Sequence, residues 1–437
     1  NVRNADKEDG TRVKHVETGV RTNNMIYQMR DDGDSRWLFA CHVNRMRNES
    51  IAYTEELKIT IKGEWKPICY DTMTGEIYPV AAEYHEGNTI VTHYCSFHGS
   101  LLLKLEPGKA IEGRKSCYNI IPDEDKNYLP QPASISLSEP NVLLLDLAQY
   151  RFDDEEDWQP EDELLRIDNK FRSRLGYPLR MEALAQPWVT ESRPPVNTLH
   201  LRFTVHCDIE VKGARLAMED IERNTVMVNG ERIDTTPTGW FVDNDIKSVE
   251  IPVLHKGINE ITVSIPFGEK TNVEWCYILG HFGVSVTGKN KRIMELPKEF
   301  FYGDWTRQGL PFYTGNLTYT VPFACEEGKL VIEAPHYKGA VIKVKLDSRD
   351  VGYIAFAPYR VNCGEIAAGE HLLEITVFGH RFNSFGSVHN ANLTEDWQGP
   401  NAWRTTGIQW SYEYQLKPMG ILTTPMYWIE AVKEDKE

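Results

Sequence analysis

Aromatic and planar polar side chains are concentrated in the last third of this 437-residue chain. Aromatic rings stack on the apolar C–H faces of sugars, and planar Arg and Asn groups hydrogen-bond pairs of hydroxyls. The segment Gly379–Asn390 is a polar loop after a predicted strand, so a rigid sheet would hold it in place. The pattern predicts a carbohydrate-binding surface, whose candidate contacts are Trp305, Tyr313, Arg381, Asn383, His389 and Trp397. One alternative stays open, in which the aromatic side chains fill a core and the polar ones cap loops.

Sequence motifs of common catalytic sites are missing. G-x-S-x-G, G-x-x-x-x-G-K-[ST] and H-E-x-x-H do not occur. A glycosidase needs two opposed carboxylates, and no pair stands out among the 64 acidic residues. Acidic runs such as Glu219-Asp220 are interpreted as solvated loop charges. We therefore predict no catalytic residue within these 437 residues.

Metal-binding signals are weak. Asp243-Asn244-Asp245 could supply oxygen ligands to calcium, but the Gly and Glu of an EF-hand loop do not follow at the required spacing. His380 and His389 have no third zinc ligand at a diagnostic spacing. We predict no metal ion or cofactor and leave a structural calcium ion open.

The composition is that of a globular protein without a membrane helix. The 48 basic and 64 acidic residues give a net charge of −16, which disfavours nucleic acid and anionic membranes as partners. No apolar run approaches the roughly 18 residues of a membrane span. The eight cysteines are scattered without a C-x-x-C pair, and no signal peptide is visible, which favours free thiols in the cytoplasm. The first residue is Asn1, so we expect the native N-terminus to lie upstream.

Alternating hydrophobicity with frequent turn signals predicts an all-β fold of several antiparallel sandwiches. One helix is expected at about 161–175, where apolar residues recur at helical spacing before Gly176. The predicted divisions are a frayed segment (1–24), a β-sandwich (25–108), a bridge with the helix (109–187), and two jelly rolls (188–290 and 291–430).

Two stretches of the second half have similar patterns. Each contains a predicted hairpin and then a glycine that opens an alternating strand. The glycines are Gly257 and Gly369, 112 residues apart. The order of these features predicts two copies of one β-sandwich module.

Several segments resemble parts of large bacterial glycoside hydrolases. Gly63-Glu-Trp-Lys-Pro67 and Asp71-Thr-Met-Thr-Gly-Glu76 look like the β-sandwich that follows the catalytic barrel in α-L-rhamnosidase and family-two β-galactosidase-like enzymes. Val228-Asn-Gly-Glu-Arg232 and Leu310-Pro-Phe-Tyr-Thr-Gly-Asn316 are similar to galactose-binding-like jelly rolls. The resemblance covers most of residues 25–425.

The resemblance implies an accessory region of a polysaccharide hydrolase whose acid and base lie on a barrel N-terminal to this chain. No position matches a catalytic residue of those families. The accessory region would bind carbohydrate, brace the barrel, or do both. Two alternatives remain: a purely structural or oligomerisation region, including a homo-oligomer, and a self-contained glycosidase with a site between domains.

Overall fold

The computed structural model describes residues 11–44, 54–96, 98–109, 112–114, 123–153, 155–180, 193–392 and 400–430. Most elements in these ranges are β-strands, which form stacked, mainly antiparallel sheets around three hydrophobic cores. The predicted all-β fold class is therefore confirmed. Within the described ranges, no helix has the length and apolar character needed to cross a membrane.

The first sandwich packs a four-stranded sheet against a five-stranded one. Its strands are β1 (Arg12–His15), β2 (Met25–Asp32), β3 (Ser35–His42), β4 (Thr54–Lys62), β5 (Trp65–Tyr70), β6 (Ile77–Pro79), β7 (Glu83–His85), β8 (Asn88–Ser96) and β9 (Ser100–Pro107). In β4, Leu57, Ile59 and Ile61 are at most 1% exposed. Successive side chains of a strand point to opposite faces, so this alternation fills the space between the sheets.

The next part of the chain contains fifteen strands and the longer helix. They are β10 (Asn127–Tyr128), β11 (Ala133–Leu137), β12 (Asn141–Leu145), β13 (Leu147–Phe152), β14 (Gln159–Glu163), α1 (Leu164–Leu175), β15 (Asn197–Cys207), β16 (Arg215–Glu219), β17 (Thr225–Val228), β18 (Glu231–Arg232), β19 (Gly239–Phe241), β20 (Asp243–Glu250), β21 (Gly257–Phe267), β22 (Cys276–Gly280), β23 (Gly283–Thr287) and β24 (Asn290–Met294).

The last part contains ten strands and a four-residue helix. They are β25 (Glu299–Phe300), β26 (Leu317–Cys325), β27 (Gly328–Glu333), β28 (Tyr337–Lys338), β29 (Val341–Leu346), β30 (Arg349–Ile354), β31 (Arg360–Ile366), β32 (Gly369–Phe378), α2 (Phe382–Phe385), β33 (Gly420–Ile421) and β34 (Met426–Glu430).

These elements build two further sandwiches with the same strand order. One has sheets β12-β22-β16-β20-β19 and β14-β13-β15-β21-β17-β18, with β23 and β24 attached. The other has sheets β10-β34-β27-β31 and β25-β11-β26-β32-β29-β30. In the smaller sheets, β12-β22-β16-β20 of the first corresponds to β10-β34-β27-β31 of the second in chain order and in position. In the larger sheets, β13-β15-β21-β17-β18 corresponds to β11-β26-β32-β29-β30 in the same way. The structure thus contains the repeated β-sandwich that the sequence pattern predicts.

One of these sandwiches is inserted into the chain of the other. Strands β10 and β11, at 127–137, pair with β34 and β26, which come after β12–β24 in the chain. We call the sandwich of residues 141–294 the inserted sandwich and the one that flanks it the outer sandwich. The predicted bridge is therefore divided: 127–137 belongs to the outer sandwich and 141–175 to the inserted one. Each predicted jelly roll begins earlier in the chain than the sequence pattern indicates.

Equivalent hairpins in the two sandwiches have equivalent turns. The two central residues of each turn have positive φ: Asn229 and Gly230 (51° and 85°), and Asp347 and Ser348 (49° and 68°). Positive φ at both positions is the type I′ geometry, whose twist matches that of the flanking strands. The turns therefore set the register of β17 with β18 and of β29 with β30.

The two glycines that mark the repeat open equivalent strands. Gly257 pairs with Cys207 at the start of β21, and Gly369 pairs with Cys325 at the start of β32. Their φ angles of 113° and 144° lie beyond the left-handed helical region, where a residue with a Cβ is strained. The repeat is visible in the sequence because the backbone requires glycine at both places.

Helix α1 ends where the sequence predicts and begins later. It occupies Leu164–Leu175, because the residues before it form the edge strand β14. Glu163 caps the first turn by accepting hydrogen bonds from two main-chain N–H groups. Gly176, at φ 70°, ends the helix in the left-handed conformation that glycine favours.

Candidate functional site

Two of the predicted sugar contacts lie in the core of the outer sandwich. Trp305 and Tyr313 are both 0% exposed, and their ring centroids are 6.2 Å apart. The Tyr313 hydroxyl donates to the Asn316 carbonyl at 2.6 Å and accepts from the Ser138 N–H at 3.1 Å. A ring without exposed surface has no face for a sugar, so this is the core-filling arrangement that the sequence left open.

The predicted polar contacts near α2 are tied to neighbouring segments. Asn383 is 0% exposed and exchanges two hydrogen bonds of 2.9 Å with the Lys417 main chain. Arg381 is partly exposed and binds the Glu139 carboxylate with both terminal nitrogens. Trp397 lies outside the described residues. Sugar contact by these residues stays a prediction.

His389 lies in a buried charge cluster that the sequence did not single out. The Asp146 carboxylate accepts hydrogen bonds from Lys291 Nζ (2.5 Å), His389 Nε2 (2.7 Å) and the Tyr414 hydroxyl (2.8 Å). Burial raises the pKa of Asp146, but the charge of Lys291 and the hydrogen bond from His389 outweigh it, and the pKa is well below its usual range. Asp146 is therefore held as an anion although it is 0% exposed.

Both ring nitrogens of His389 face oxygen atoms of the protein. Its Nδ1 faces the Ser411 carbonyl oxygen at 2.7 Å, while Nε2 faces the Asp146 carboxylate. Each ring nitrogen therefore has an oxygen partner inside the protein, and the polar atoms of His389 are satisfied within this cluster.

The aromatic residues near His389 enclose its ring. Ring centroids lie 4.7 Å away for Trp410, 5.0 Å for Tyr414 and 6.4 Å for Trp275. The Arg166 guanidinium carbon of α1 lies 4.5 Å from the Trp410 centroid. Several aromatic side chains from the last third of the chain therefore pack the segment between β32 and β33 against the inserted sandwich.

The cluster connects the inserted sandwich to the segment between strands β32 and β33 of the outer sandwich. Asp146 and Lys291 belong to the inserted sandwich, whereas His389 and Tyr414 belong to the segment between β32 and β33. Other side chains of that segment lie in or against the core of the inserted sandwich: Phe382, Phe385, Val388, Trp403 and Leu416. A one-residue signal was present in the sequence, since Asp146 interrupts the apolar run from Val142 to Leu147.

A second buried carboxyl lies next to the cluster. Glu163 is 0% exposed and accepts a hydrogen bond of 2.6 Å from Trp275 Nε1. Burial raises the pKa of Glu163 to about 7, against the opposing effect of the Trp275 hydrogen bond. Because neither Glu163 nor Asp146 is exposed, neither can meet a ligand in this conformation.

A pocket of about 150 Å³ in the inserted sandwich contains a carboxyl pair that solvent can reach. Burial, and then the charge of Glu219, raise the pKa of Glu274 to about 7. Glu219 is half-buried and accepts a hydrogen bond of 2.7 Å from Asn272, whereas Asp220 is exposed. The interpretation of Glu219 as a solvated loop charge is therefore corrected. A protonated carboxyl beside an ionised one is the pairing that acid–base catalysis uses.

Metal-ligand geometry is not found in the described ranges. No group of three His, Cys, Asp or Glu side chains there could hold a metal ion. Asp243 and Asp245 are exposed, and the Asp243 carboxylate accepts the Asp245 N–H at 3.0 Å. These residues do not form the oxygen cage that calcium requires.

Comparisons with known proteins return only distant structural likenesses. No protein-family model and no curated protein matches the sequence. A rhamnosidase from Novosphingobium sp. PP1Y aligns with 95% of this chain at 13% identity and a TM-score of 0.37. An α-L-rhamnosidase from Streptomyces avermitilis aligns with 96% of this chain at 12% identity and a TM-score of 0.26. A β-D-mannosidase from Dictyoglomus thermophilum aligns with 55% of this chain at 10% identity and a TM-score of 0.22.

The chain spans only part of those proteins: 24% of the first, 39% of the second and 31% of the third. All three of those proteins are named as glycosidases. At these scores and identities the likenesses assign neither a family nor an activity to this chain.

Proposed function

We propose that this chain is a non-catalytic accessory region of a glycoside hydrolase and that its main role is to brace a catalytic barrel outside these 437 residues. The observation that carries the proposal is the buried cluster at Asp146, which fixes the segment between β32 and β33 of the outer sandwich to the inserted sandwich. A region that holds a separate domain in place must itself resist deformation. Buried ionic contacts across a closely packed junction provide that resistance, because the interior has few alternative arrangements.

The predicted sugar-binding residues also support bracing over stacking. Trp305, Tyr313, Asn383 and His389 are at most 3% exposed and have partners inside the protein. Their hydrogen bonds and ring contacts would have to break before a sugar could replace them. Bracing requires no such rearrangement.

A second candidate function is a self-contained glycosidase, and the carboxyl pair Glu219 and Glu274 favours it. With its pKa raised to about 7, Glu274 would donate a proton to a leaving group, and Glu219 would be the second carboxyl of the pair. The pocket of about 150 Å³ would admit only a small ligand. We rank this function second because no aromatic side chain lines that pocket among the described residues.

An activity assay separates the two functions. The purified chain is incubated with aryl α-L-rhamnoside, β-D-galactoside and β-D-mannoside, alongside Glu274→Gln and the exposed control Glu231→Gln. The bracing role predicts the same background release for all three proteins. Turnover by the wild type and Glu231→Gln that Glu274→Gln abolishes would establish the glycosidase instead.

A further inference from the structure

The five-stranded sheet of the first sandwich, β2-β3-β9-β5-β6, has an apolar outer face. Successive side chains of a strand point to opposite faces. In β3, the inward-facing Leu38 and Ala40 are at most 1% exposed, whereas the outward-facing Phe39 is 40% exposed. The register of the five strands places eight aliphatic or aromatic side chains on the outer face: Ile26, Trp37, Phe39, Ile68, Tyr70, Ile77, Pro79 and Leu102.

Most of these side chains lie in two neighbouring rows that cross the sheet. The first row contains Phe39, Leu102, Tyr70 and Ile77, and the second contains Trp37, Lys104, Ile68 and Pro79. The ring centroids of Trp37 and Tyr70 are 4.9 Å apart, so a ring contact also joins the two rows. The apolar side chains therefore form one continuous area and are not scattered singly over the surface.

The outer face packs against none of the three hydrophobic cores of the described residues. None of its eight apolar side chains belongs to a core or lies against one, and Ile77 is 61% exposed. Usual strand and residue spacings give the face an area of roughly 20 × 20 Å, or about 400 Å². Contiguous apolar areas of this size mark interaction sites. Because a standard interface buries about 800 Å² per partner, this face supports a weak, reversible association.

The charges of the face favour a second copy of this chain as the partner. The charged side chains on it are three basic and two acidic ones: Arg30, Lys66, Lys104, Asp32 and Glu106. The face therefore has a net charge of +1 (3 − 2), in a chain whose net charge is −16. Two such acidic chains repel each other over most of their surfaces and least where these faces meet. The ion pair of Lys104 with Glu106, at 3.2 Å, neutralises the central cation.

We propose that two copies of this chain associate through the outer faces of their first sandwiches. The two rows are neighbours, so a two-fold axis between them lays each row on the other row of the second copy. Face-to-face packing at about 10 Å is the ordinary way in which two sheets bury apolar side chains. The proposal goes beyond the bracing role and does not depend on it, because no residue of the Asp146 cluster lies in the first sandwich.

Analytical ultracentrifugation of the full chain, from about 1 μM to about 1 mM, tests the association. We expect the mass to rise with concentration from that of one chain toward that of two. Added salt should strengthen the dimer, because screening weakens the repulsion between the acidic chains and leaves apolar contacts intact. A single-chain mass at every concentration, growth beyond two chains, or a dimer that salt weakens would overturn the proposal.

Variants assign the association to this face. Ile77→Lys should weaken the dimer at least ten-fold, whereas Ile258→Lys should leave it unchanged. The two positions are matched, since both are strand isoleucines with exposed side chains, 61% and 72%, and Ile258 lies in the inserted sandwich. Melting curves establish that each variant is folded. If Ile77→Lys fails to fold, Phe39→Lys takes its place with the same expected loss. Unchanged association of the folded face variant, or an equal loss for Ile258→Lys, would refute the assignment.

Discussion

Replacing Asp146 by Asn should destabilise the protein strongly, because the structure places three donors on one buried carboxylate. The substitution keeps the size of the side chain but removes the charge that Lys291 and His389 face. It also turns one acceptor oxygen into a donor. Breaking a buried ion pair costs about 3–5 kcal/mol, and a hydrogen bond to a charged group is worth about 1.5–3 kcal/mol. We therefore expect Asp146→Asn to lower the free energy of unfolding by about 3–5 kcal/mol.

The neighbouring arginine provides the matched control. Arg292 binds Asp208 at 2.8 Å, and both side chains are about half exposed. An exposed ion pair is worth about 0–1 kcal/mol, so Asp208→Asn should change little. Urea unfolding at pH 7, followed by tryptophan fluorescence, measures both variants. Equal losses for the two variants, or a loss below about 1 kcal/mol for Asp146→Asn, would refute the reasoning.

The same variant has a defined pH dependence. The pKa of Asp146 is lowered in the folded protein, so its ionisation stabilises the fold above the usual value of 3.8. That contribution is lost as pH falls from about 4 toward the lowered pKa. The stability difference between wild type and Asp146→Asn should therefore be full at pH 6 and shrink below pH 4.

Two further predictions follow from other residues. Because its pKa is raised from 4.5 to about 7, Glu274 favours folding at low pH and opposes it once ionised, so Glu274→Gln should be more stable than the wild type at pH 8. The pKa shift alone corresponds to roughly 3 kcal/mol, and screening by the solvent in the pocket reduces the expected gain in stability to about 1–2 kcal/mol. Urea titrations at pH 5 and pH 8 measure this gain. An equal gain for Glu274→Gln at both pH values would contradict the prediction. Gly257→Ala and Gly369→Ala should each lower the free energy of unfolding by about 2 kcal/mol, and Gly213→Ala by about 1 kcal/mol. A Cβ would meet no atom within 4 Å at any of the three positions, so the difference comes from the backbone. Of the three, only Gly213 has a left-handed helical φ (65°), which a residue with a Cβ tolerates better. Equal losses in thermal melts would show that the backbone angle does not matter.

Local chemistry explains why the fold class and the repeat could be predicted from the sequence. Period-two alternation marks strands wherever one face is buried, as in β4. Gly257 and Gly369 mark the repeat because their φ angles exclude other residues. The end of α1 was predictable from Gly176 for the same reason. Its start was not, since Pro160 is tolerated in an edge strand as well as at a helix start.

The insertion and the charge cluster depend on long-range contacts. β10 has only two residues, too few for a period to identify the sheet that it joins. Asp146 and His389 are 243 residues apart, and no spacing rule connects them. Aromatic density also cannot separate a ring in the core, such as Trp305, from one at the surface, such as Tyr353, which is 58% exposed. Only the packed structure distinguishes these cases.

Hydrogen–deuterium exchange of the full chain, with and without Asp146→Asn, tests most directly whether the Asp146 cluster makes the inserted and outer sandwiches one body. Peptides covering 141–152 and 400–416 report on its two sides. We predict slow exchange in both peptides of the wild type and faster exchange in both for the variant. Fast exchange of 400–416 in the wild type, or a change on one side only, would contradict a brace built on this cluster.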